Sequence, residues 1–442
     1  MKRFLIIGFL IFTHTICFSQ AFNSQRMDSL FHVLEDKNKF MGSMHVSQNG
    51  KLLYSKTTGY SDVKASKKAD VNTRYRIGSI SKMFTASLIF KAIEENRISL
   101  NQPLDKYFPE IKNSKEITIG NLLNHKSGIH DFTNDKSYLS YNTVAKSEKE
   151  MIETIAKGKS DFAPGSKVEY SNSNYIVLSY VLEKIYKKSY SAILYSEITR
   201  PLKLKNTYFG SNIQIQKNES YSYHFKKEWL KGTETHLSIP MGAGSIVSTP
   251  TDLTVFIEQL FNGKIISHKS VSLMKVMNQY QGMGIGMGML EFSNFEKKSY
   301  GHNGAIDDFK SLLCYFPEEK LSIALSSNGI VYPINNVLLC AISSYFNKPF
   351  ALPTFNYVDL EPEVLEFYLG QYTSLQIPLN IAITKNGNIL FGQVKGQPAF
   401  PLEATAANIF KFDQAGLVLE FDANKKQMIL KQGGKEFLFT KE

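Results

Sequence analysis

The stretch Gly78-Ser79-Ile80-Ser81-Lys82-Met83-Phe84-Thr85-Ala86 decides how the rest of the chain is read. It sets a serine and a lysine three positions apart, which at the start of a helix places them one turn apart on one face. A lysine amine held against a serine hydroxyl can take its proton, provided burial or neighbouring cations keep the amine neutral. Gly78 suits a sharp turn into the helix and leaves room for a substrate. Ile80, Met83, Phe84, Leu88 and Ile89 anchor the helix in a core. The spacing alone carries little weight, because Ser61/Lys64 and Ser272/Lys275 repeat it and an isolated Ser79 reads as an ordinary helix N-cap.

Around this stretch lie 442 residues, more than one typical domain and enough for a large core. Hydrophobic content of 43% and charged content of 21% place the chain among globular proteins and exclude a disordered or fibrous one. The net charge of +11 comes from scattered lysines. No basic patch interleaved with aromatics appears, so a nucleic-acid partner is not expected. Residues 1–20 run from Lys2 and Arg3 through the apolar Phe4 to Phe12 into a polar segment, the order of a secretory signal peptide. The apolar run is too short to span a bilayer, and no later segment is long and apolar enough for a transmembrane anchor. Ile16 before Cys17 is not small, which argues against a lipoprotein site. A periplasmic or secreted protein is expected. Cys314 and Cys340 sit in apolar patterns and read as buried thiols, with a disulfide undecided. No Cys/His cluster has metal-ligand spacing, so no metal is expected.

In chain order, residues 21–38 read as an amphipathic helix, followed by a hairpin of 43–47 and 51–55 about Asn49-Gly50. A second helix runs from Thr118 to the Ser127-Gly128 stop, with His125 at its C-terminus in a structural hydrogen-bonding role. Residues 129–165 read as a helical insertion. Tyr170-Ser171-Asn172 leads into a helix, Pro240–Ser245 is a small-residue loop, and Thr249 caps another helix. The Gly282–Gly288 run alternates as a strand does; no helix or spaced acidic residue follows, so a dinucleotide loop is rejected. Two strands cover 309–316 and 321–326, and a last helix spans 333–346. Residues 349–362 form a linker, and 363–442 a small antiparallel β domain, barrel-like, with short alternating strands and turns at Asn386-Gly387 and Gly433-Gly434.

Three pieces then stand in order: Ser79-x-x-Lys82, Tyr170-Ser171-Asn172 and His302-Asn303-Gly304. With the framing runs Leu122–Gly128, Pro201–Thr207 and Ser248–Leu253, residues 25–347 resemble the penicillin-recognising serine hydrolases, the superfamily of serine β-lactamases and D,D-peptidases. The Tyr-x-Asn form is similar to the class C β-lactamase branch. The C-terminal segment resembles the lipocalin-like domain appended to some peptidases of that branch, where it covers the active site or mediates assembly.

The resemblance implies an α/β fold over 21–348, with an antiparallel sheet flanked by helices and a helical lobe, and no metal or organic cofactor. It implies Ser79 as nucleophile and leaves open whether Lys82 or Tyr170 is the base, the latter with its pKa depressed by Lys82. Asn172 would orient the substrate amide and hold Lys82. His302 would line the site, Gly304 would make room for substrate, and the backbone N–H of Ala305 would join that of Ser79 at the oxyanion. Asp307 and Asp308 follow the triplet and read first as a plain turn, with tuning of substrate choice as the alternative. Most true β-lactamases carry lysine where His302 stands, and histidine is only partly charged near neutrality. The leading expectation is therefore an exported serine hydrolase acting on small-molecule or peptide substrates of D-amino-acid type, D,D-peptidase-like. A β-lactamase, an esterase and a non-turnover penicillin-binding sensor remain as alternatives.

Overall fold

A computed structural model describes residues 22–277, 283–292, 295–397 and 399–442. The proposed signal peptide of residues 1–20, with Cys17, lies outside the described residues. The first helix, α1 (Ser24–Asp36), buries Met27, Leu30, Phe31 and Leu34 along one face. The strands β1 (Phe40–Gln48) and β2 (Lys51–Thr58) close at Asn49 and Gly50, both at positive φ as a tight hairpin requires. Four later strands, β3 (Gly288–Phe292), β4 (Lys297–Ile306), β5 (Phe309–Phe316) and β6 (Leu321–Ile330), join them in one antiparallel sheet of order β3-β4-β5-β6-β1-β2.

The period of two along these strands builds both layers of the core. Leu312, Cys314, Phe316, Ile323 and Leu325 face α1 and the helix 334–345. Leu313, Tyr315 and Ala324 face the other way, onto α2 (Ser81–Glu94) and the helical lobe. β6 is buried along its whole length, as a central strand covered on both faces must be. Cys314 and Cys340 are buried and free.

The lobe is carried by α3 (Asn172–Tyr186), which packs across α2, with the helices 119–123 and 148–157 beside it. One expected strand is absent. Met283 makes a single bridge, the chain bends at Ile285 and Gly286, and a strand begins only at Gly288. Gly286 sits at φ +69°, and a Cβ there would meet the Cβ of Ala86 at 2.5 Å, so close approach to α2 replaces strand pairing. Gly282 itself lies outside the described residues.

Eight strands from Gly370 to Lys441 close into an antiparallel barrel. Its interior is filled by apolar side chains including Ile381, Leu419, Phe421, Met428 and Phe439. The barrel meets the first unit at Lys39. This nearly buried ammonium lies 3.3 Å from Glu403 and 3.4 Å from Asp413, with the Tyr357 ring centroid 4.7 Å away. Tyr357 in turn donates to Asp413. No helix among the described residues is long and apolar enough to cross a membrane.

Candidate active site

Ser79 lies in a 3-10 turn, Gly78–Ile80, that leads directly into α2. It is not a cap: no side-chain capping bond forms at either helix start. The turn is held from three sides. Ile77 donates its N–H to Ile246 O, and Ser81 Oγ accepts from Ile246 N. Gly78 takes φ +53° with its Cα against the backbone of Ala305, where a Cβ would come within 2.6 Å of the Ala305 nitrogen. Among the described residues β3 pairs with β4 only up to Gly301, and beyond it the β4 backbone at Gly304 and Ala305 lies against this turn.

Lys82 is fully buried, one turn along α2 from Ser79. Its Nζ lies 3.1 Å from Ser79 Oγ, 2.8 Å from Asn172 Oδ1 and 2.9 Å from the carbonyl of Ala243. Burial lowers its pKa to about 7, partly offset by Asp131. Tyr170 donates its phenol O–H to Ser79 Oγ at 2.9 Å. The expected depression of the Tyr170 pKa does not occur. Burial raises it, because the phenolate loses solvation and Lys82, itself half-neutral near pH 7, supplies little compensating charge.

Asn172 is the first residue of α3, and its amide spans from Lys82 to the Asp131 carboxylate, which accepts from Nδ2 at 3.0 Å. Ser171 fits the turn as expected: its N–H donates to His125 Nδ1 at 3.2 Å. His125 sits at φ +56° under the Tyr170 ring, with centroids 4.5 Å apart, and its pKa is lowered well below the ordinary range by burial. The helix-end histidine is thus a support for Tyr170.

His302 is half-buried with its Nδ1 on its neighbour's carbonyl, Asn303 O. A carbonyl only accepts, so Nδ1 carries the proton and Nε2 presents a lone pair. Burial, then the charge of Lys82, push its pKa down to about 4. The side chain is neutral at pH 7, where partial charge was expected. Gly304 also differs from expectation. A Cβ on it would lie 1.9 Å from Ile77 O, so glycine here lets β4 approach the Ser79 turn and is buried beneath it. Ala305 is exposed beside that turn.

A cavity of about 540 Å³ opens over Ser79. Phe132, Tyr138, Ile176 and Ile239 give it apolar walls, while Asn172, Thr235, Asp307 and Asp308 supply polar groups. No lysine or arginine lines it among the described residues, and no barrel residue does either. Asp307 is more than the expected turn. It sits at φ +52°, pairs with the buried Arg76 at 3.0 Å and accepts from Thr235 N and Oγ1.

The sequence reading passed over Asp131 and the Ala243 carbonyl. Asp131 is one carboxylate in a loop of unremarkable composition, and a backbone carbonyl has no sequence signature. The only available signal for Ala243 was the run of small residues, whose Gly242 fits between Thr85 and Ser179, where a Cβ would come within 2.8 Å of each.

Comparison with known proteins bears on this arrangement. The chain is 34% identical over 231 residues to teichoic acid D-alanine hydrolase of Staphylococcus aureus, spanning 52% of this chain and 56% of that protein. It thus spans little more than half the length of the curated relatives it matches. Its fold is similar to D-amino acid amidase from Ochrobactrum anthropi SV3, with TM-score 0.66 and 22% identity over 73% of this chain and 99% of that one. It is also similar to the octameric penicillin-binding protein homologue from Pyrococcus abyssi, with TM-score 0.67 and 22% identity over 94% of this chain and 99% of that one. FmtA from Staphylococcus aureus aligns with TM-score 0.62 and 25% identity over 76% of this chain and 90% of that one. The family model described as Beta-lactamase matches residues 29–332, the span that holds Ser79, Lys82, Tyr170 and His302, and the chain belongs to that family.

Proposed function

We propose that this protein is a serine hydrolase that works through a covalent acyl-enzyme on D-amino-acid esters, amides or short peptides, with donors bearing a free amino group preferred. The observation that carries the reading is the triangle of Ser79 Oγ, Lys82 Nζ and Tyr170 OH, with separations of 3.1 and 2.9 Å about the serine. Lys82, poised near neutrality, takes the Ser79 proton as Oγ attacks the acyl carbonyl. The oxyanion meets the backbone N–H groups of Ser79 and Ala305. Tyr170, still protonated, gives its proton to the leaving group and is refilled from the Lys82 ammonium. Water then enters where the leaving group departed, and the same proton path returns the serine.

Charge supports the choice of donor. A β-lactam or a D-Ala-D-Ala terminus brings a carboxylate, for which the described cavity lining offers no lysine or arginine, and His302, outside that lining, is neutral. A free ammonium would instead meet the partly exposed Asp308 at the cavity wall, Asp307 being already paired with Arg76. The names of the teichoic acid D-alanine hydrolase and the D-amino acid amidase point the same way. The leader-like first twenty residues and the teichoic acid relative support a site outside the cytoplasm, secreted or periplasmic.

Acyl-enzyme mass spectrometry with D-alanyl esters and amides, D-Ala-D-Ala peptides and β-lactams tests this, with Ser79→Ala as control. The D-alanyl adduct is expected to form fastest and to vanish in the control. Rapid β-lactam turnover with no D-alanyl adduct would make the protein a β-lactamase instead.

A further inference from the structure

We propose that Asp131 is a positioning residue for this site: its carboxylate sets the polarity of the Asn172 amide, which in turn aims the Lys82 lone pair at Ser79. The inference rests on the serine hydrolase reading above. It starts from donors and acceptors. A carboxylate accepts and does not donate. Asp131, buried at 6% exposure, takes the Thr133 N–H and Oγ1–H on Oδ1, at 3.1 and 2.8 Å, and Asn172 Nδ2 on Oδ2, at 3.0 Å. Nδ2 also donates to Thr133 Oγ1, itself held by Asp131, at 3.3 Å, and Asn172 therefore presents Oδ1, not Nδ2, to Lys82.

A neutral amine has two N–H donors and one lone pair. Asn172 Oδ1 and the Ala243 carbonyl, both acceptors, use the two donors at 2.8 and 2.9 Å. The lone pair is left for the third neighbour, Ser79 Oγ. Turn the Asn172 amide over, and Nδ2 competes for that lone pair. The amine then meets the serine with an N–H, the wrong polarity for a base. Asp131 thus acts on Lys82 as a triad carboxylate acts on its imidazole, by selecting which face carries the lone pair.

The backbone makes the device testable. In Asp131→Asn, the Thr133 N–H still needs an acceptor at the inner position. The new amide oxygen goes there and its NH2 faces Asn172, which drives the turned-over arrangement. Asp131→Ala removes that push and lets Asn172 take either orientation. The isosteric Asn is therefore expected to harm catalysis more than the truncating Ala, whereas stability orders them the other way. Swapping the pair, Asp131→Asn with Asn172→Asp, restores an acceptor beside Lys82.

The other groups facing Lys82 are Tyr170, Tyr175, His125 and His302, and none is altered in these variants. Single-turnover acylation by a D-alanyl ester, measured from pH 5 to 10 and scaled to folded protein, gives the comparison. Asp131→Asn is expected to lose about 10²-fold in acylation rate with ester binding little changed. The Ala variant should lose less. The swapped pair should recover most of the rate, with its acid limb moved to higher pH by the carboxylate now touching Lys82. If Asp131→Asn does not fold, the order is read from the Ala variant against the swapped pair. Equal rates for the folded Asn and native proteins, or a swapped pair no faster than Asp131→Asn or Asp131→Ala, overturn the inference. A Ser79→Ala control that still acylates overturns the serine reading and this inference with it. A dead control beside an unimpaired Asp131→Asn overturns this inference alone.

Discussion

The hydrolase unit and the barrel bury opposite kinds of side chain. Around Ser79 the interior holds Lys82, Asp131, Arg76, His125 and Asn174, each buried and hydrogen-bonded. In the barrel, among the described residues, the buried side chains are apolar or tyrosine, and the hydroxyls of Tyr368 and Tyr372 settle on backbone carbonyls. Burying a charge costs several kcal/mol unless it is paired, and so a fold without a chemical task tends to avoid it. The contrast coincides with the cavity over Ser79, which no barrel side chain lines among the described residues.

The contrast can be broken most severely at Lys82. Lys82→Met is expected to cut acylation about 10²–10⁴-fold, read in single turnover. In the native enzyme the rate should rise with pH through about 7, because the neutral amine is the base. Stability should follow the same group. Its folded pKa lies below that of the unfolded chain, so the unfolded state binds more protons between pH 7 and 10.5 and native stability rises across that window. Denaturant unfolding at pH 7 and 9 should show the native protein gaining stability relative to Lys82→Met, a difference in which the buried tyrosines, whose raised pKa values weaken both proteins as pH climbs toward 10, cancel.

Gly304→Ala comes next. Its methyl must push β4 away from Ile77, carrying the Ala305 N–H off the oxyanion position, at a cost of about 10²-fold in acylation and a lower melting temperature. His302→Lys should move the acid limb of acylation below about 7, since a second cation further lowers the Lys82 pKa, and should improve acylation by β-lactams relative to D-alanyl esters. A Gln at the same position should leave the limb in place, because His302 is already neutral. The smallest effect on catalysis is expected from the barrel. Phe421→Ala removes a core ring and should cost about 3–5 kcal/mol of stability in denaturant unfolding, with the acylation rate per folded molecule unchanged.

Much of this site was legible in the chain because its parts ride on local elements. Ser79 and Lys82 share one helical turn, Tyr170 and Asn172 flank one helix start, and His302 to Ala305 share one strand. Period-two and helical patterns likewise announced the sheet, the flanking helices and a C-terminal β unit, and Asn49-Gly50 announced the first turn. Barrel closure was less legible, since the pairing of Tyr372 with Lys441 joins strands about seventy positions apart. The glycine run before residue 288 was misread as strand because its spacing mimics alternation while its real constraint is contact with Ala86.

What the sequence by itself determined is the lineage, and it nominated the reacting groups, because residue type and short-range order are enough to point to them. The tertiary structure alone decided their states. Lys82 is brought near neutrality, Tyr170 keeps its proton and His302 carries no charge, each through burial among segments far apart in the chain. Gly304 serves the approach of strand to turn, and Asp131, from a loop, and Ala243, from the short helix Met241–Gly244 where a loop was expected, complete the hydrogen bonds of Asn172 and Lys82. A pKa and a lone-pair direction depend on what surrounds a group in space, and no spacing along a chain contains that.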